Sequence, residues 1–319
     1  MSARIIVPDD YPCYLHGTPA EMRLQALGDV THYHDSAPAD AGELIRRCRD
    51  ADVVFNVYGK SRFGDAVLAE LPRLKLIARS GTGVDGIDLD SCRRRGILVS
   101  HLKGNDADEI AEHAVALMLS ALRRIGEMDR ALRAGRWRTE RIRGARGLTL
   151  GVVGLGAIGN RMVELGRALG MTVLAWTYGP DDGRAAKLGV PWVALDRLLA
   201  DADVVSLHLR LSDETRGLID ARRFALMKRD AVLVNTARGG IVDRAALIDA
   251  LAQGRIAAAG LDVFHAEPLP ADDPLLALPN VVLTPHNGSN ITHVVARGLM
   301  TAVENIENFL NGRPSNLAV

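Results

Sequence analysis

The sequence predicts an α/β fold of parallel sheets with helices packed on both faces. Short β-branched runs alternate with longer helical patterns from end to end, the grammar of repeated βαβ units. The 319 residues exceed what one ordinary hydrophobic core holds, so two domains are expected, and an apolar share of 48% can fill both. The halves also echo each other. Asp50-Ala51-Asp52-Val53-Val54 enters a strand in the first, and Asp201-Ala202-Asp203-Val204-Val205 does so in the second. Further along each half, another strand ends in a glycine-bearing turn and an aspartate, at Arg79–Asp85 and Asn235–Asp243. We read the matching letters as shared βα grammar; both halves are the same type of open α/β unit.

The expected strands of the first half are Ile5–Val7, Val53–Val57, Leu76–Ala78 and Ile97–Val99, with helices such as Glu43–Arg49 and Asp88–Arg95 between them. The second half offers Leu148–Val153, Val173–Trp176, Val204–Leu209, Ala231–Asn235, Ala258–Val263 and Val281–Thr284. Formal net charge is zero, which gives no global reason to expect nucleic acid or an anionic membrane as partner. No apolar run approaches the roughly 18 residues of a membrane span. The stretch at Ile5–Val7 is too short for a signal peptide. Cys13, Cys48 and Cys92 are scattered without metal-ligand spacing. They read as reduced, buried thiols of a cytoplasmic protein, and no metal site is expected. The segment from Arg123 to Gly147 is rich in arginine, opposed only by Glu127, Asp129 and Glu140. It reads as a solvated helix and an extended arm, with Trp137 and Ile142 to bury against another subunit.

Residues 148–159 form a strand running into Gly154-Leu155-Gly156-Ala157-Ile158-Gly159, with a helix expected over Ile158–Leu169. A G-x-G-x-x-G between strand and helix is a dinucleotide fingerprint. Gly154 permits the tight turn, Gly156 lets a diphosphate approach the backbone, and Gly159 lets helix and strand pack closely. The helix N-terminus then binds the anion. The next strand should end in an acidic residue that holds the adenosine ribose. Thr177 stands there instead, which leaves NAD and NADP open; NAD is favoured because Asp181 and Asp182 precede the first basic residue, Arg184.

Three later strands each lead to a polar residue: Arg238 after Asn235-Thr236-Ala237, Glu267 after Asp262, and His286 after Thr284-Pro285. Strand ends of an open parallel sheet share one edge, so these three can converge beside the nicotinamide. Arg238 can grip a carboxylate with paired bonds. His286 can deliver a proton to a carbonyl oxygen, and Glu267 can orient the imidazole and raise its pKa.

With these motifs the sequence resembles the D-isomer-specific 2-hydroxyacid dehydrogenase family along nearly the whole chain. The resemblance rests on G-L-G-x-I-G at 154–159, His208-Leu209 leading to Glu214–Ile219, N-T-x-R-G at 235–239, L-D-V-F-x-x-E-P at 261–268 and T-P-H at 284–286. It implies two Rossmann-like domains with parallel sheets. A flavodoxin-like substrate domain would take residues 1–102 and 289–319. A doubly wound NAD(P)-binding domain would take 103–288, with a dimerisation arm around 123–147. It implies Arg238, Glu267 and His286 as the catalytic set. Gly154, Gly156, Ala157, Ile158, Gly159, Thr177, His208, Thr236, Ala237, Arg238, Asp262, His286 and Gly288 would contact cofactor. Gly81, Thr82 and Gly83, with Arg238 and His286, would hold the substrate.

The activity so implied is hydride transfer between NAD, or NADP, and a small 2-oxo or 2-hydroxy acid in a homodimer. Several departures bear on the substrate. Residues 287–290 are more polar than usual for the family, and Ala157 replaces a frequent arginine at the diphosphate turn. The loops at 9–14, 56–62 and 287–290 are polar, which favours glyoxylate or hydroxypyruvate over a branched or aromatic acid. Lys60 and Arg62 keep a phosphorylated acid as runner-up. The end at Val319 leaves no room for a regulatory domain after the core, so the alternative is a phosphoglycerate-type enzyme without one. The arginine-rich arm keeps a third reading, an NAD(H)-sensing protein that binds a partner.

Overall fold

The computed structural model describes residues 2–57, 59–179 and 188–319. The chain divides into two compact units, Met1–Asn105 with Asn290–Val319 (unit 1) and Asp106–Ser289 (unit 2). Tyr58 of the 56–62 loop, and Asp181, Asp182 and Arg184 after Thr177, lie outside the described residues.

Unit 1 carries β1 (Arg4–Val7), β2 (Asp29–His32), β3 (Val53–Asn56), β4 (Leu76–Arg79) and β5 (Leu98–Ser100), ordered β2-β1-β3-β4-β5 and all parallel. Alternation decides which face each side chain serves. Ile5, Val7, Val53, Phe55 and Leu76 pack with Leu24, Leu299, Val303 and Ile306, so the helix Thr292–Leu310 covers one face of a sheet built from the other end of the chain. Ile6, Val54, Ile77 and Val99 meet Leu44, Cys48, Leu68 and Cys92 on the opposite face.

Unit 2 carries β6 (Thr149–Val153), β7 (Thr172–Trp176), β8 (Val204–Leu207), β9 (Val232–Asn235), β10 (Ala258–Leu261) and β11 (Val281–Leu283). Their order is β11-β10-β9-β8-β6-β7, again all parallel. From β6 the chain steps to β7 on one side and then to β8 on the other. That reversal opens a crevice at the strand ends, where ligands of such sheets bind. Leu150, Val152, Val204 and Val234 pack under the helices Ala107–Leu122 and Ala157–Ala168, and Val153, Val205, Leu207 and Leu233 pack under the helices on the other face. Among the described residues no helix is long and apolar enough to cross a membrane.

Three expectations need correction. β2 was not anticipated: it is an edge strand whose residues alternate between exposed and half-buried, so it lacks the apolar run that marks an interior strand. Several expected strands run too far, since Val57, Leu209, Val263 and Thr284 follow the last strand residue; Val57 and Val263 are buried by packing rather than by ladder pairing. Cys13 is exposed, whereas Cys48 and Cys92 are buried, and burial pushes those two thiols up to about 12 and about 11.

The echo between the halves has a structural basis beyond general grammar. The Asp52 carboxylate accepts from the N–H of Arg4 at 3.1 Å, at the head of β1, and from Arg73 at 3.1 Å. The Asp203 carboxylate accepts from the N–H of Thr149 at 2.8 Å, at the head of β6, and from Lys228 at 3.0 Å and Arg143 at 3.1 Å. In each unit this aspartate, just before the neighbouring strand, satisfies the first N–H of the strand that opens the unit's sheet in chain order. Burial alone would raise the Asp203 pKa, but the Thr149 N–H, Lys228 and Arg143 outweigh it and hold the carboxyl below its ordinary value. That contribution to stability is complete above the unfolded pKa of about 3.9 and is lost as pH falls through the lower folded value. Asp203→Asn should therefore destabilise the protein by roughly 1–3 kcal/mol at neutral pH. In urea melts the gap to wild type should close as pH drops below about 4; equal stability at pH 7 would contradict this account.

Candidate active site

The fingerprint turn is held open by close backbone approaches. Gly154 has φ +102°, and a Cβ there would lie 2.5 Å from the carbonyl oxygen of His208. A Cβ on Gly159 would stand 1.9 Å from the Gly154 oxygen, so the helix Ala157–Ala168 can sit on this strand only with glycine there. At Gly156 a Cβ would meet nothing within 4 Å, so that side of the turn is open. Gly156 is also the helix N-cap and makes no side-chain cap bond. The first-turn N–H groups of Ala157, Ile158 and Gly159 thus lack a capping side chain, as at helix N-termini that receive an anion. On the next strand Thr177 follows β7 and is half-buried. Tyr178 beside it donates from its hydroxyl to the Glu214 carbonyl at 2.6 Å.

His208 follows β8, and its N–H donates to the Val153 carbonyl at 2.8 Å, tying β8 to β6 beside the turn. Its Nε2 lies 2.8 Å from the Ser206 hydroxyl, and its Nδ1 is buried with no partner among the described residues. Burial pushes this imidazole down to about 4, so it is neutral at pH 7. After β9, Thr236 is buried, and its hydroxyl likewise has no partner among the described residues. An open glycine turn, a helix N-terminus without a side-chain cap and two buried polar atoms without partners fit a dinucleotide, whose phosphates and polar ring substituents would meet them.

The turn after β9 is shaped by Asn235, which donates to the Arg238 carbonyl at 2.9 Å and accepts from the Ala237 N–H at 3.0 Å. The Arg238 guanidinium donates to the Ala237 carbonyl at 2.6 Å. A Cβ on Gly239 would lie 2.2 Å from the carbonyl carbon of Phe264, so the turns after β9 and β10 touch backbone to backbone. Glu267 comes from that second turn. Its Oε1 accepts from the Phe264 N–H at 2.9 Å, and its Oε2 lies 2.7 Å from His286 Nδ1. Burial would raise the Glu267 pKa, but the bonds from His286 and Phe264 and the nearby Arg238 charge outweigh it, so the carboxyl is lowered and ionised at neutral pH. With Nδ1 engaged, His286 presents Nε2 outward. The residue has φ +52°, a left-handed conformation rare outside glycine, and its N–H is tied to the Thr284 carbonyl at 3.0 Å.

Asp262 braces this histidine turn. Its Oδ1 accepts from the Thr284 hydroxyl at 2.6 Å and the Asn287 N–H at 2.9 Å, and its Oδ2 accepts from the Gly288 N–H at 3.0 Å. Asp262 and Gly288, which the sequence assigns to cofactor contact, are joined to each other within this turn. His113 on the helix Ala107–Leu122 completes the brace, 2.9 Å from the Thr284 hydroxyl and 3.3 Å from Asp262. Sequence reasoning missed His113; it stands among other polar residues of its helix, Asp108, Glu109 and Glu112, and nothing local sets it apart. The unit thus brings together the glycine turn with His208, and Arg238 with Glu267 and His286. Gly81, Thr82 and Gly83 belong to unit 1. There the Gly81 carbonyl accepts from the Leu102 N–H at 3.0 Å, and the Thr82 carbonyl lies 2.9 Å from His101 Nδ1.

The sequence profile described as D-isomer specific 2-hydroxyacid dehydrogenase, NAD binding domain, matches residues 115–288. A glyoxylate reductase of Aeropyrum pernix is 39% identical over 301 residues, covering 91% of this chain and 89% of that one. A D-3-phosphoglycerate dehydrogenase of Archaeoglobus fulgidus is 40% identical over 279 residues, covering 87% of this chain and 53% of its own, so the chain spans about half the length of that relative. A solved D-lactate dehydrogenase of Aquifex aeolicus, complexed with NAD and lactic acid, superposes with a TM-score of 0.83 at 30% identity, covering 97% of this chain and 96% of that one. The chain belongs to the D-isomer specific 2-hydroxyacid dehydrogenase family.

The two later fingerprint glycines should fail differently when changed. Gly159→Ala forces backbone apart and should lower the melting temperature. Gly156→Ala meets no protein atom, so its melting temperature should stay while NADH affinity falls about tenfold or more, as an ordered phosphate contact worth roughly 1.4 kcal/mol is lost. Fluorescence titration with NADH and a thermal melt of each variant check this; unchanged NADH binding in Gly156→Ala would remove the turn from the cofactor site.

Proposed function

We propose that the protein reduces a small polar 2-oxo acid, glyoxylate or hydroxypyruvate in kind, to the D-2-hydroxy acid with NADH, and catalyses the reverse oxidation. The observation that carries this reading is the 2.7 Å pair of His286 Nδ1 and the ionised Glu267, beside Arg238, on the strand edge that also bears the glycine turn. NADH, held at the glycine turn after β6, would supply the hydride for C2 of the acid. His286 Nε2 delivers the proton that the carbonyl oxygen gains in the same event. Glu267 keeps Nδ1 protonated and the ring oriented, and stabilises the imidazolium before transfer. Arg238 holds the carboxylate, which fixes the carbonyl relative to the imidazole. On the family likeness, Gly81, Thr82 and Gly83 contribute to substrate binding from unit 1. NAD is favoured over NADP on the local charge that Asp181 and Asp182 bring to the sequence after Thr177.

The test is NADH consumption with a panel of 2-oxo acids. Glyoxylate or hydroxypyruvate should lead, and phenylpyruvate in first place would refute the substrate reading. If no acid turns over while NADH binds tightly, a sensing role replaces the enzymatic one. His286→Ala should lower kcat by about 10²–10⁴-fold with NADH binding retained. Glu267→Gln should lower kcat with NADH binding retained, since the imidazole loses the carboxylate that orients it at 2.7 Å. The ratio of kcat/KM for NADH over NADPH should exceed one.

We also propose a cytoplasmic homodimer built on the arm around 123–147. Some of its arginines form ion pairs, Arg138 with Glu140 among them. Arg124 pairs with Glu127 at 2.7 Å and with Glu140, Arg133 with Asp129 at 2.9 Å, and Arg143 with Asp203 and Asp230. Trp137 is 83% exposed, and Ile125, Leu132 and Ile142 are exposed nearby in sequence. Trp137→Asp should shift the mass measured by light scattering from dimer toward monomer; an unchanged dimer would place the interface elsewhere.

A further inference from the structure

Outside the catalytic edge, unit 1 gathers histidines and buried carboxylates at the end of its first two strands. Asp10 follows β1, Glu21 sits in the first turn of the helix Pro19–Gln25, and His32 is the last residue of β2. His32 is clamped on both ring nitrogens, Nδ1 2.8 Å from Glu21 Oε1 and Nε2 2.9 Å from Asp10 Oδ2. His16 Nδ1 lies 3.3 Å from the same Glu21 oxygen. Asp10 and Glu21 are fully or nearly fully buried. Their remaining bonds come from backbone N–H groups, those of Tyr14, Leu15 and His16 to Asp10 and that of Gly17 to Glu21. The Cys13 thiol lies 3.7 Å from Asp10. His34 stacks on His16 at 4.4 Å and pairs with the exposed Asp35.

We propose that His16, Glu21 and His32 form a binding site for a divalent transition-metal ion of the zinc type, with Asp10 orienting His32 from behind. One ligand atom from each residue lies within 4.8 Å of the others. Zinc bonds of about 2.0–2.2 Å to nitrogen and oxygen in a tetrahedral site put ligand atoms roughly 3.3 Å apart. The 3.3 Å between His16 and Glu21 matches that spacing, and the 2.8 Å between His32 and Glu21 needs only a small opening. The Asp10–His32 bond is the carboxylate–histidine arrangement that supports metal-bound imidazoles, since it occupies Nε2 and aims Nδ1 at the site. Two nitrogens and one carboxylate oxygen select zinc, cobalt or nickel over magnesium or calcium.

Charge points the same way. The buried carboxylates of Asp10 and Glu21 face the imidazoles of His32 and His16 and a set of backbone N–H donors. Two buried negative charges need a cation. A proton on His32, which lies between the two carboxylates, is one solution. A divalent ion is the other: it would displace that proton to solvent and take His16 as third ligand. His16 keeps half its side chain exposed, which leaves a route for the ion and a position for water. So bound, the metal would staple the 10–16 loop to β2 and the following helix.

The test uses the tag-free full chain, stripped with a chelator and titrated with Co²⁺. We expect one saturable equivalent, with the visible absorption of a four-coordinate nitrogen–oxygen site, displaced by Zn²⁺. His16→Ala should weaken binding by at least about tenfold, the smallest loss common even for supporting residues. His286→Ala, which removes the histidine of the catalytic pair, should leave binding unchanged. Zn²⁺ should raise the melting temperature of wild type and not of His16→Ala. Absence of a saturable equivalent in wild type overturns the proposal, as does full-strength binding in both His16→Ala and Glu21→Gln.

Discussion

A parallel sheet delivers every strand's C-terminal end to one edge, and the chemistry of unit 2 depends on that constraint. The glycine turn leaves β6 there, His208 follows β8, and Arg238, Glu267 and His286 follow β9, β10 and β11. Residues far apart in sequence become neighbours without a long loop to carry them. The edge is useful only because the opposite end is pinned. Asp203 holds the head of β6 to the start of β8, and Asp52 does the same for β1 and β3 in unit 1.

Close approach of backbone to backbone sets how finely that edge is built. Gly154 lies against His208, Gly159 against Gly154, and Gly239 against Phe264, each at a distance no Cβ could share. The turn after β10 is thereby packed on the turn after β9, so the 2.7 Å Glu267–His286 pair inherits its position from main chain rather than from flexible side chains. Preorganisation of this kind matters because a group placed an ångström away loses much of its effect on a transition state.

Carboxylates recur as the means of orienting histidines, buried at Asp10, Glu21 and Asp262 and partly exposed at Glu267. Glu267 orients His286, Asp262 holds the turn that carries it with His113, and Asp10 and Glu21 clamp His32 in the other unit. In each case burial works against the charged carboxyl, and backbone N–H groups together with the imidazole restore it. The contrast is His208, buried without a carboxylate and therefore neutral.

Local chemistry made much of this legible in the sequence. β-branched runs mark the interior strands because those strands are buried on both faces. G-x-G-x-x-G marks the diphosphate turn because only glycine permits its two contacts with backbone, and Arg238, Glu267 and His286 are visible as polar residues following apolar strands. The tertiary structure alone decided the rest. β2 has no apolar run to announce an edge strand. Asp262 serves the 284–288 turn and His113 joins it from a distant helix, because hydrogen bonds between remote segments leave no local pattern. The cluster of His16, Glu21 and His32 has the same cause. Its spacing of 5 and 11 residues matches no ligand motif, and it assembles only when β2 pairs with β1 and the first helix folds back over their ends.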